Sequence, residues 1–167
     1  MQLLAHLNLN HLCNPFQSAY RSGHSTETAL LRVVNDLLMA MDKNRVSILL
    51  LLDLSAAFDT VDHEILLLRL ETKFGIRSSA LQWFKSYLQN RKQYVSVNGH
   101  SSVPRDLEFG VPQGSVLGPV LFVLYTTPLS KLIKEHLVSH QLYADDTQVH
   151  KSSSPSSINV FQSELQS

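Results

Sequence analysis

Between residues 25 and 42 apolar side chains recur every three or four positions, with Leu30, Val34, Leu37, Leu38 and Met41 on one face. That period predicts a helix. Ser25 and Thr26 stand where they cap its start, and Glu27 suits the positive end of its dipole. The period then disappears. "SILLLLDL" is apolar at consecutive positions, which predicts a strand buried on both faces and ending in Asp53. Leu66, Leu70 and Phe74, four apart, predict a helix from a cap at Asp62 to a C-cap at Gly75. Another helix is expected over about residues 79–89, after Ser78. "QYVSVNGHSSV" predicts a hairpin with Asn98-Gly99 in a type I′ turn. "GVPQGSVLGPVLFVLY" turns from loop into apolar helix near Ser115, with Pro119 tolerable in a first turn and Pro128 expected to end or kink it. "HQLYADDTQVHK" predicts strand, turn and strand, and "SSSPSS" a linker before the start of a last helix. This order predicts an α+β fold, an antiparallel sheet with helices packed on one face.

Composition narrows the picture modestly. At 167 residues and 44% hydrophobic, the chain is long and apolar enough for one folded domain. Fourteen basic residues balance fourteen acidic ones, which counts against a freely acting nucleic-acid binder. The single cysteine, Cys13, builds neither a disulfide framework nor a cysteine zinc site, and fits an intracellular setting. The N-terminal leucines are interrupted by His and Asn and lack a basic lead, so no signal peptide is read. The longest aliphatic run, Ile48 to Leu52, is too short to span a membrane.

The candidate chemistry lies in carboxylates at strand ends. Asp53 closes the apolar strand, and Asp145 and Asp146 stand together in the later turn. If those strands are neighbours, three like charges converge, an arrangement that needs protons or metal. Hard oxygen donors select Mg²⁺ or Mn²⁺, and two such ions about 3.5–4 Å apart suit nucleotidyl transfer. Each residue alone has a plainer reading. Asp53 suits a strand end or cap, Asp145-Asp146 a turn, Phe58 the core, and Gln113-Gly114 a turn after a proline. Asp59 and Asp62 suit local capping. His136 and His140 are expected to be solvated, Arg91-Lys92 an exposed basic pair, and Trp83 and Phe84 core.

Together the segments say more. "LLLLDLSAAFDTVDH", "GVPQGSVLGPVLFVLY" and "LYADDTQVH" resemble three ordered motifs of reverse transcriptases, closest to the LINE-like retrotransposons without long terminal repeats. "QSAYRSGHSTETAL" resembles the stretch preceding the first motif, so the likeness covers roughly residues 14 to 151. The resemblance implies a right-hand polymerase palm. It implies that Asp53, Asp145, Asp146 and the carbonyl of Leu54 hold two Mg²⁺ or Mn²⁺ ions. Phe58 falls where the family has an aromatic gate against a 2′-hydroxyl. Gln113 and Gly114 fall at a loop beside the incoming nucleotide, and Arg21 is a candidate phosphate or template contact. The implied partners are an RNA template, a DNA primer and a dNTP, with no membrane.

The implied division is 1–26 as the end of a fingers region, 27–151 as palm, and 152–167 as linker and the start of a helix. Fingers and thumb are expected to be truncated, since the chain runs only sixteen residues past Lys151. "LYTTPLSKLI" departs from an Asn-Asp pair often found after the second motif's helix. Three other readings stay open: an inactive remnant that keeps the palm, a non-catalytic cation-binding module, and a polymerase of the group II intron or telomerase branch.

Overall fold

A computed structural model describes residues 2–157. The helix expected in the last ten residues lies outside the described residues. The described residues divide into two compact units, residues 2–13 with 56–126 and residues 14–55 with 127–157.

The second unit is built on a sheet. Strands β1 (Val46–Leu52), β6 (Ser139–Tyr143) and β7 (Asp146–Ser153) form an antiparallel sheet in the order β1-β7-β6. The β1–β7 register runs from Val46 opposite Ser153 to Leu52 opposite Thr147. Helix α2 (Thr26–Met41) packs on this sheet. The Ser25 hydroxyl accepts from the Thr28 N–H, and the Thr28 hydroxyl accepts from the Ser25 N–H, completing a capping box. Residues 16–18 run parallel to the free side of β6. The Ser18 N–H donates to the Leu142 carbonyl at 3.0 Å, and the Leu142 N–H to the Phe16 carbonyl at 2.8 Å.

Two expectations fail here. Helix α2 buries Ala29, Val33 and Ala40, and Leu30, Val34, Leu38 and Met41 are exposed. The face is chosen by close approach to the sheet, which small side chains permit, and not by the largest apolar stripe. β1 is an edge strand, and its Leu51 is 71% exposed, so the strand is not buried on both faces. "SSSPSS" is also not simply a linker. Ser152 still belongs to β7 and shares a hydroxyl hydrogen bond with Ser47 at 2.7 Å, and only residues 155–157 turn.

The first unit is helical. α1 (Gln2–Leu9), unforeseen in the sequence because its apolar spacing is only two turns long, buries Leu3 and Leu7. They join α3 (His63–Thr72), α4 (Ser78–Leu88) and the start of α5 (Gly118–Glu135) in one apolar core around Leu66, Leu70, Leu88, Leu121 and Phe122. Asp62 caps α3 through the Ile65 N–H at 2.9 Å, as expected. Two short ribbons follow α4. β2 (Lys92–Gln93) pairs with β5 (Arg105–Asp106), and β3 (Ser96–Val97) with β4 (His100–Ser101). Asn98 and Gly99 have φ of 50° and 80°, both positive as a type I′ turn requires. α5 runs through Pro128 to Glu135. The proline gives up one helical N–H, yet its fixed φ is helical and the chain continues. Trp83 is half-exposed and stacks on Tyr87, so only Phe84 joins the core. No helix among the described residues is long and apolar enough to cross a membrane.

Candidate active site

In the sheet unit, antiparallel pairing brings three aspartates to one end. Leu52 of β1 lies opposite Thr147, so Asp53 follows β1 where Asp146 begins β7. Tyr143 pairs with Asp146, which leaves Ala144 and Asp145 as a two-residue turn. Ala144 has φ 55°, a left-handed conformation that costs an alanine about 1 kcal/mol or more.

No lysine or arginine among the described residues forms an ion pair with Asp53, Asp145 or Asp146. Asp53 and Asp146 are exposed, and so is Leu54. Like charges gathered at one sheet end without a counter-charge suit a hard cation by donor type. The side chains are not drawn together, however: among the described residues no three His, Cys, Asp or Glu groups are set to hold a metal ion. Tyr20, left-handed at φ 57°, is close enough to feel the turn. Partial burial, then Asp145, then Tyr143 raise its phenol above the usual value, so it is neutral at pH 7. Arg21 donates to the Asn14 carbonyl at 3.4 Å.

In the helical unit two loops are bound to each other. The Val111 N–H donates to the Phe58 carbonyl at 2.9 Å, and the Gly110 N–H to the Val61 carbonyl at 2.8 Å. Gly110 has φ 86°, and a Cβ there would meet the Asp59 backbone at 3.0 Å, so only glycine permits this approach. The Gly110 carbonyl accepts from the buried His63 ring at 2.8 Å and from Arg91 at 3.1 Å. Phe58 packs on Phe122, ring centroids 4.7 Å apart. The Gln113 amide donates to the Asp59 carboxylate at 2.9 Å. Gly114 follows with φ 74°.

Asp59 therefore holds Gln113 and is not the local cap that its spacing suggested. Arg91 likewise braces a loop carbonyl and is not merely an exposed charge. His140 corrects a further expectation. It is 3% exposed, shares a 2.7 Å hydrogen bond with Ser130 and lies against Phe16, whereas His136 is exposed. His136 lies in the turn after α5 and His140 in β6, so their four-residue spacing has no helical meaning. The sequence also missed Gln17, whose side chain reaches the turn. Its amide donates to the Ala144 carbonyl at 3.2 Å and accepts from the Ala144 N–H at 3.0 Å. Its place at the start of "QSAYRSGHSTETAL" was a signal of position but not of that reach.

Residues 1–167 match the family described as reverse transcriptase (RNA-dependent DNA polymerase). The chain belongs to the reverse transcriptase family. It is 37% identical over 140 residues to the RNA-directed DNA polymerase from mobile element jockey of Drosophila melanogaster, covering 80% of this chain and 15% of that protein. It is 34% identical over 135 residues to the probable RNA-directed DNA polymerase from transposon BS of the same organism, covering 78% and 15%. The corresponding X-element protein is 39% identical over 110 residues, covering 66% and 12%. These relatives bear out the LINE-like resemblance, and the chain spans only about 15% of the length of the first two. Among solved structures, apo telomerase from Candida tropicalis truncated from its C-terminal domain matches with a TM-score of 0.65 at 18% identity, covering 99% of this chain and 36% of that one. That likeness bears out the α+β palm fold of this reverse transcriptase domain.

Proposed function

We propose that this chain carries the palm chemistry of an RNA-directed DNA polymerase, joining a primer 3′-hydroxyl to the α-phosphate of a dNTP and releasing pyrophosphate. One observation supports the reading: in a member of this family, strand register brings three aspartates to one end of the sheet, where none forms an ion pair with a lysine or arginine among the described residues. Asp53, Asp145, Asp146 and the Leu54 carbonyl would hold two divalent cations, Mg²⁺ or Mn²⁺. Bound there, such ions supply Lewis acidity for the attacking hydroxyl and charge compensation for the leaving phosphate.

The other residues orient substrate. Phe58, packed on Phe122, would set its ring under the incoming sugar and exclude a ribose 2′-hydroxyl, which selects deoxynucleotides. Gln113, tethered by Asp59, and Gly114, with no side chain in the way, line the approach of the nucleotide. Arg21 offers a fixed positive charge to a phosphate or the template strand. The partners are thus an RNA template, a DNA primer and dNTPs, and the division into a palm over 27–151 with the end of a fingers region before it follows from the same reading.

The test is primer extension on an RNA template, with and without Mg²⁺. It is run on this chain and on a jockey polymerase whose matching 140 residues are replaced by it. The replacement should extend the primer only with Mg²⁺, and Asp145→Ala should stop it. A folded replacement that never extends would mark the palm as an inert remnant.

A further inference from the structure

Resting on that reading of the carboxylates, we propose that Gln17 is a positioning residue that sets the Ala144-Asp145 turn and thereby the direction in which Asp145 and Asp146 face a cation. The Gln17 side chain is 4% exposed and makes three hydrogen bonds. Its oxygen accepts from the N–H of Ala19 at 2.9 Å and of Ala144 at 3.0 Å, and its NH₂ donates to the Ala144 carbonyl at 3.2 Å. Donor and acceptor of one amide thus grip both polar groups of one residue, as a neighbouring strand would.

The residue gripped is the one that needs it. Ala144 holds φ 55°, which glycine adopts freely and alanine does not. A strained turn of this kind persists only where its surroundings over-determine it. Asp145 is the next residue and Asp146 the one after, so a rotation at Ala144 redirects both carboxylates. Docking of residues 16–18 along β6 does not need the side chain. Two main-chain hydrogen bonds between that segment and Leu142 already hold it, and Gln141 adds a third link by donating to the Ser18 hydroxyl at 2.8 Å. The Gln17 amide reaches past these to the turn. Groups that orient metal ligands without touching metal typically change affinity by about 10–100-fold when removed.

The probe is Mn²⁺ alone, titrated into the full chain by calorimetry, with far-UV circular dichroism and thermal unfolding on the same samples. Gln17→Met keeps the side chain's length and removes its hydrogen bonds. Gln17→Asn keeps the amide but falls one methylene short, and carries the comparison if the methionine variant does not fold. Gln141→Met removes a buried amide of the same layer that does not reach the turn. The expected result is a Kd for Mn²⁺ raised about tenfold or more in the Gln17 variants. It should be unchanged within about twofold in Gln141→Met, even where the thermal midpoints fall equally. If folded Gln17 variants bind Mn²⁺ like the wild-type chain while Asp145→Ala loses it, the inference is wrong and the metal reading stands. Equal weakening in Gln141→Met would make Gln17 a general stabiliser, which also overturns it. If Asp145→Ala binds as the wild-type chain does, the metal reading fails and takes the inference with it.

Discussion

The helical unit buries leucines and phenylalanines, and the sheet unit buries amides, hydroxyls and histidines. Leu66, Leu70, Leu88, Leu121 and Phe122 fill the first. In the second the buried set includes Gln17, Ser18, Ser130, His140, Gln141, Thr147 and His150, with Ala29, Val33 and Leu142 among the few apolar members. The first interior is non-directional and rewards area, while the second rewards geometry, because each buried polar group needs a partner at a fixed angle. The contrast follows what each unit displays. Phe58 and Gln113 are shaped by protein partners, Phe122 and Asp59. Asp53, Asp145 and Asp146 form no ion pair with a lysine or arginine among the described residues, and Asp145 takes its direction from the backbone of a turn.

That difference can be broken deliberately. Leu70→Ala should give the largest change, about 3 kcal/mol of stability read by denaturant unfolding, because Leu70 is fully buried in a packed apolar cluster. A loss under about 1 kcal/mol would say that the core is looser than its packing implies. Asp53→Asn should do the reverse. Primer extension by the grafted polymerase should fall more than about a hundredfold, with no loss of thermal stability, because one of three repelling charges is removed. Gln113→Ala should be milder. It gives up one hydrogen bond to Asp59, about 1 kcal/mol, and should raise KM for dNTP roughly fivefold in steady-state kinetics with kcat little changed.

The smallest effect is a pH dependence confined to the polar interior. Burial, then Lys134, Arg32 and His150, lower the His140 pKa below its ordinary 6.5. Arg32 and Lys134 both sit over the Phe16 ring against which His140 packs. A pKa depressed by folding means that the unfolded chain binds the extra proton first. The stabilisation held by neutral His140 is therefore full above about pH 6.5 and is lost as pH falls through its folded value. Thermal midpoints measured from pH 7.5 down to 5 should decline, and His140→Gln should flatten that decline.

What the sequence showed of this molecule divides along the same line. Elements with a local cause were legible: the caps at Ser25 and Asp62, the Asn98-Gly99 turn and the strand-turn-strand of "HQLYADDTQVHK". The placing of Asp53 at a strand end and of Asp145 in a turn was legible for the same reason, while Asp146, read as a turn residue, begins β7. Properties set by distant neighbours were not. The buried face of α2 was read from its largest side chains, while the sheet selected its smallest. β1 looked doubly buried because apolar runs usually are, but its place at the sheet edge is a matter of topology. The grip of Gln17 on a residue 127 positions away, and of Asp59 on Gln113, leave no periodic trace.

The most direct test of the account is where a divalent cation goes. Mn²⁺ added at substoichiometric amounts to ¹⁵N-labelled chain broadens the amide resonances nearest to it. The account predicts that Asp53, Leu54, Ala144, Asp145 and Asp146 fade first, and that Asp53→Asn suppresses the effect. Fading that centres elsewhere, or that Asp53→Asn leaves untouched, would contradict a metal site at the sheet end.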